Sequence, residues 1–176
     1  ITRISHAIRS LRLGDGTLAR TNGGRSYSRD AIDKVLEKTG IKLRSRISSS
    51  LTATGYERLA SGRSIIIMDC SHKSKNNYNG SLSFEMSVGR DRLIVNCGPT
   101  PNNDITWQKA LASSAAHSCL VIDDTNSSSI KNNGETKINV SREVTSGFEI
   151  ISASHNGYEN LYSAIHKRIL KLDSRG

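Results

Sequence analysis

Long apolar runs, aromatic residues and paired cysteines are all scarce in this 176-residue sequence, and each shortage removes a class of protein. No stretch approaches the roughly 18 consecutive apolar residues of a membrane-spanning helix. The longest apolar runs are Ile65 to Met68 and Leu120 to Ile122. The aromatics, two Phe, five Tyr and the single Trp107, are scattered and make a poor stacking platform for single-stranded nucleic acid. Cys70, Cys97 and Cys119 are odd in number, widely spaced and without a Cys-x-x-Cys. That argues against a disulfide framework and a thiolate zinc site, and each reads as a small core hydrophobe beside an apolar run. The opening "ITRISHAIRSLRLGDG" has no initiator Met, no unbroken apolar region and no small-residue cleavage site. It is therefore no secretory leader, and it reads as a chain that begins partway through a longer one.

What is present supports one domain. Apolar residues make up 35%, about 43% once glycine is added, enough for a core but not a generous one. The net charge of +9 is concentrated at one end: residues 1–63 carry 13 Lys and Arg against 5 Asp and Glu. A basic first third suits any polyanion, an acidic polysaccharide as well as nucleic acid. No zinc-finger, RNP or homeodomain spacing is present, which makes nucleic acid the poorer partner.

Helical periodicity occupies the start. Ile4, Ala7, Ile8 and Leu11 share a face before "GDG", and residues 28–38 carry the stripe Ala31, Ile32, Val35, Leu36 behind an N-cap serine, Ser28. Residues 42–55, "KLRSRISSSLTATG", read as an exposed polar loop. From residue 55 the pattern changes to short β runs with turn punctuation. "GYERLASG" and "RSIIIMDCS" read as consecutive strands, the second buried on both faces. In "SLSFEMSVGRDRLIVNCG" Leu82, Phe84 and Met86 alternate with Ser83, Glu85 and Ser87 before a hairpin turn. "HSCLVIDD" reads as another strand, and "TKINVSREV" with "FEIISASHNGY" as a further pair. "LYSAIHKRILKL" fits a helix and a strand equally. The expected class is mainly β, an antiparallel β-sandwich-type domain with a short helical N-terminal segment. The division expected is 1–52 as a helical and loop junction and 53–176 as the β domain, incomplete at "LDSRG".

Four segments in order, "YERLASGRSIIIMD", "SLSFEMSVGRDRLIVNCGPT", "HSCLVIDDT" and "ASHNGY", together resemble the C-terminal β domain of heparinase II/III-like proteins, polysaccharide lyases and their bacterial relatives. "RSLRLGDGTLARTNGG" looks like that family's junction with an α/α-toroid domain. The resemblance is weakest over residues 25–52 and 126–140. It implies cleavage of acidic glycans by β-elimination, in which a uronate carboxylate is neutralised, a base removes the proton alpha to it, and an acid protonates the leaving oxygen. The family draws these groups from Tyr, His and Asn, several of them in the toroid, so a toroid partner is implied. It also implies a metal, often zinc, held by histidines of the β domain.

Carried over residue by residue, His117 falls on the histidine of the family's His-Asn-Thr-like motif, followed here by Ser118 and Cys119. The preceding catalytic histidine is replaced by Ala115, and Tyr78 stands where many relatives have histidine. No catalytic residue is therefore assigned. His155, in the His-x-Gly-Tyr motif, is the second implied metal ligand, and Tyr158 of the same motif is an expected substrate contact. Glu135, Asp123 and Asp124 lie in reach of an acidic ligand's place without a spacing that selects one.

Each assignment has a plainer alternative. His117 also reads as a strand-start imidazole bonded to a carbonyl, and His155 as part of an Asn-Gly turn. Asp123 and Asp124 fit the end of a strand and a turn cap. Trp107 is either a sugar-stacking platform or a partly buried anchor after "PTPNND". His6, His72 and His166 carry no partner pattern. Two functions remain open: a lyase β domain that does not turn over alone, or a non-catalytic module that binds a polyanion or assembles with a partner. Unpaired strand edges favour homo-oligomers.

Overall fold

The β-branched run at residues 65–67 and the alternation at 82–88 set the strands that organise the molecule. The computed structural model describes residues 2–40, 47–71, 78–100, 104–127 and 136–176. Strands β1 (Ser50–Leu51), β2 (Tyr56–Ser61), β3 (Ser64–Asp69), β4 (Phe84–Val88) and β5 (Asp91–Ile94) form a five-stranded antiparallel sheet in chain order. Strands β6 (Ile138–Val144), β7 (Phe148–His155) and β8 (His166–Asp173) form a second, three-stranded one. The helices among the described residues are α1 (Thr2–Ser10), α2 (Arg29–Glu37), α3 (Ile105–Ala112) and α4 (Glu159–Tyr162). The expected mainly β, sandwich-type class is the class observed.

The core lies between the sheets. Leu59, Ile66, Met68 and Leu82 pack against Ile138, Ile151, Ala153 and Leu172. Each large aliphatic side chain removed from water contributes about 1.5–3 kcal/mol. Two arginines stitch the sheets across this layer. Arg142 of β6 reaches Glu57 and the carbonyls of Ser49 and Arg58. Arg168 of β8 donates to the carbonyls of Leu82 and Ser118 and lies 5.2 Å from the Phe84 ring centroid.

The outer face of the five-stranded sheet departs from the alternation. Glu85 and Ser87 point away from the core, yet both are buried. The segment between α1 and α2 runs across them: Arg92 pairs with Asp15 at 2.8 Å and Glu85 at 3.0 Å, and the Gly14 N–H donates to Ser87 Oγ. Glycine is needed there, because a Cβ at Gly14 would stand 1.6 Å from the Gly89 carbonyl oxygen. Further along, Asn22 donates to Asp69 at 2.6 Å and to Tyr56 Oη at 3.1 Å. Burial raises the Asp69 carboxyl to about 6, against the hydrogen bonds from Ser71 and Asn22 that favour its charged form.

Other expectations change in detail. Ser28 caps α2 as expected, accepting from the Ala31 N–H. Helix α1 turns Ser5 and Ser10 inward and leaves Ile4 65% exposed, so its apolar stripe does not face the sheet. "HSCLVIDD" is not a strand. Only Ile122 and Thr125 bridge, because Asp123 and Asp124 both adopt positive φ and fold the chain back at once. The ambiguous stretch resolves into α4 and β8, and its isoleucines face out: Ile169 is exposed while Leu172 is buried. Cys70 is buried as expected, but Cys97 is exposed, because the chain has left β5 at Ile94. Part of the expected loop, 42–46, lies outside the described residues, as do His72 and Glu135.

Candidate functional site

His117 closes a single 3-10 turn, Ser114–Ala116, that follows α3. The turn is pinned by short polar side chains that take over the backbone bonds a strand would have made. Ser114 Oγ donates to the Asn79 carbonyl at 2.6 Å and accepts from the Ser127 N–H at 2.7 Å. The Ser118 N–H donates to Asn96 Oδ1, while Ser118 Oγ accepts from the Phe84 N–H and donates to its carbonyl. These bonds occupy Phe84 beyond the last β4–β5 pair, Met86 with Ile94, and they explain why the chain here is held firmly without being a strand.

The imidazole that results is unusual. His117 is only 8% exposed, yet neither ring nitrogen has a hydrogen-bond partner among the described residues. Burial lowers its pKa, with the nearby Leu111 backbone pulling the other way, so the ring is neutral near pH 7. The Tyr78 ring meets it edge-on at 6.0 Å between centroids. Gly80 opens the space beside it, and a Cβ there would come within 3.5 Å of the His117 Cγ. The buried Asn96 Nδ2 is a second donor without a partner. Chemically this is a neutral imidazole able to give or take one proton. Asn96 and Gly80 carry no motif signal in the sequence, and only the fold brings Gly80 to the His117 ring and Asn96 to the neighbouring Ser118.

The other expected site residues lie elsewhere. His155, at the end of β7, has both ring nitrogens engaged: Nδ1 accepts from the Gly157 N–H at 3.0 Å, and Nε2 lies 3.0 Å from His166 Nδ1. Burial and the positive charge of Arg168 push its pKa down to about 4. Tyr158 is fully buried, its hydroxyl donating to the Leu120 carbonyl, so it is a packing residue and not a surface for sugar. Trp107 sits on α3, a helix capped by Asp104 with no buried residue, and is 59% exposed. Asp123 and Asp124 are the exposed centre of a tight turn, in line with a turn role.

The described residues do not by themselves make a zinc site. A structural or catalytic site needs at least three protein ligands with free lone pairs. Among the described residues no three His, Cys, Asp or Glu side chains gather at one point. Both ring nitrogens of His155 are engaged within the fold.

Comparison with known proteins places this geometry. The sequence matches the family described as Heparinase II/III-like, C-terminal, over residues 43–176. It is 32% identical over 106 residues to the FtsZ-localized protein C of Caulobacter vibrioides (strain NA1000 / CB15N), covering 57% of this chain and 18% of that protein. The fold is similar to the crystal structure of the heparan sulfate lyase HepC from Pedobacter heparinus, with a TM-score of 0.74 at 15% identity, over 96% of this chain and 30% of that one. A heparinase III gene product has a TM-score of 0.70 at 13% identity, over 94% and 29%. The chain thus spans less than a third of each of these relatives.

Proposed function

The chain belongs to the heparinase II/III-like C-terminal family, and from that premise we propose that it is the β domain of a polysaccharide lyase, meeting an acidic, uronate-containing glycan without turning it over alone. The family match over residues 43–176 carries this reading. β-Elimination needs a group to neutralise the uronate, a base and an acid. Of these the described residues offer the unpartnered imidazole of His117, and Ala115 stands where the resemblance implies a second histidine. The missing groups are those a toroid domain supplies. The basic residues of the first third give a polyanion a favourable long-range field, weakened by salt.

The test is direct. The protein is incubated with heparan-type and other uronate polymers while the ultraviolet absorbance of unsaturated ends is followed. No turnover, together with measurable binding, is the expected result. Robust turnover by this chain alone refutes the reading.

A second reading is favoured by the Caulobacter relative, whose name states a location and no reaction. On this reading the domain is a non-catalytic assembly module that meets a protein partner, its exposed strand edges available for pairing with further copies. Two experiments separate the readings. Labelled heparin and duplex DNA are titrated in parallel at two salt concentrations, where equal and steeply salt-dependent affinity marks nonspecific electrostatics. Cosedimentation with assembled FtsZ, absent for a glycan-binding domain, supports the assembly reading.

A further inference from the structure

We propose that His155 and His166 are a metal-independent imidazole pair whose fixed tautomers clamp the 120–127 hairpin, leading back to His117, onto the second sheet. The proton positions follow from connectivity. The Gly157 N–H donates to His155 Nδ1, so that nitrogen bears a lone pair and the proton of the neutral ring sits on Nε2. Nε2–H then points at His166 Nδ1, 3.0 Å away, which must accept. The reverse donation would leave His155 with no ring proton at all, an imidazolate, which an imidazole forms only far above neutral pH. His166 accordingly carries its proton on Nε2. The rings meet edge-to-face, 4.9 Å apart at 85°, and both are buried.

The pair sits where β7 hands the chain to a turn that grips the hairpin. The cross-strand register sets His155 opposite His166. Gly157 follows, and its closeness to the hairpin admits no side chain: a Cβ would lie 1.8 Å from the Ser127 carbonyl oxygen. Tyr158 then donates to the Leu120 carbonyl, and the Tyr162 hydroxyl meets Thr125 Oγ1 at 2.8 Å and the Ile122 carbonyl at 3.3 Å. Asn156 Oδ1 accepts from the Lys137 N–H on the approach to β6. Every residue from His155 to Tyr158 therefore has a bonding or packing duty inside the fold, which accounts for the His-Asn-Gly-Tyr motif without a metal. Coordination at His155 would require breaking one of its two hydrogen bonds next to the positive charge of Arg168, which already disfavours a second cation there.

The test uses the 176-residue chain with 15N-labelled histidine. Long-range proton–nitrogen correlation spectra report the protonated nitrogen of each ring. Both His155 and His166 are expected as the Nε2–H form, with signals unchanged by EDTA and by two equivalents of Zn²⁺. A Zn²⁺-dependent shift of the His155 signals at stoichiometric metal, or a protonated His155 Nδ1, overturns the proposal. The clamp is tested separately by His166→Ala, expected to speed hydrogen exchange of the Gly157 amide at least tenfold while β3 amides keep their protection. Unchanged Gly157 exchange in that variant refutes the clamp.

Discussion

Removing Arg142 should cost more than removing any exposed ion pair of the molecule. Its guanidinium donates to Glu57 Oε2 at 2.9 Å, to Glu149 at 2.9 Å and to the Ser49 and Arg58 carbonyls, joining β6 to the first sheet. In Arg142→Ala the Glu57 carboxylate, only 8% exposed, keeps the Ser50 hydroxyl as its one hydrogen-bond partner among the described residues. Stranding a buried charge costs about 3–5 kcal/mol. The lower end applies, because the pair keeps some solvent contact and Glu149 can return to water at little cost. A loss of about 3 kcal/mol lowers Tm by roughly 6–12 °C in a domain of this size. Urea unfolding of Arg142→Ala, Glu57→Gln and the double variant closes a cycle. Glu57→Gln in the Arg142→Ala background should recover about 1–2 kcal/mol by abolishing the stranded charge. A loss under 1 kcal/mol for Arg142→Ala, or no recovery in the double variant, refutes the reasoning.

The remaining predictions concern pH and close packing. Asp69, raised from 3.8 to about 6, keeps a proton in the folded state that the unfolded chain has released, so its contribution to stability falls as pH rises through that window. His155, lowered from 6.5 to about 4, does the opposite, its contribution falling as pH drops from 6.5 towards 4. Each amounts to about 3 kcal/mol, so they nearly offset. Asp69→Asn should therefore unmask a stability that climbs from pH 4 to 6.5 in urea titrations, and a profile parallel to the parent's contradicts this. Gly14→Ala should destabilise by about 1–3 kcal/mol through collision with the Gly89 carbonyl, while Gly147→Ala, with nothing within 4 Å, should leave Tm unchanged. Equal Tm values for the two variants would refute the close approach.

Much of the architecture was legible because it depends on neighbours in the chain. Alternation at Leu82, Phe84 and Met86 and the β-branched run at 65–67 identify strands locally, and a serine before an apolar stripe identifies the start of α2. Helix α3 was not read, since its periodicity is weak and none of its side chains is buried. His117 was found through motif resemblance, while Asn96, Gly80 and His166 were not, having no local pattern to announce them.

By itself the sequence determined the β class and most of the succession of strands and turns, which are properties of residue order. Tertiary structure alone decided which polar face would be covered, burying Glu85 and Asp69 beneath the segment that follows α1. It also decided that His155 would face His166, because the β7–β8 register sets residues 11 apart in the chain side by side. Periodicity reports which residues share a face, but what lies against that face is a matter of distant chain, as the burial of His117 and the pairing of His155 with His166 illustrate.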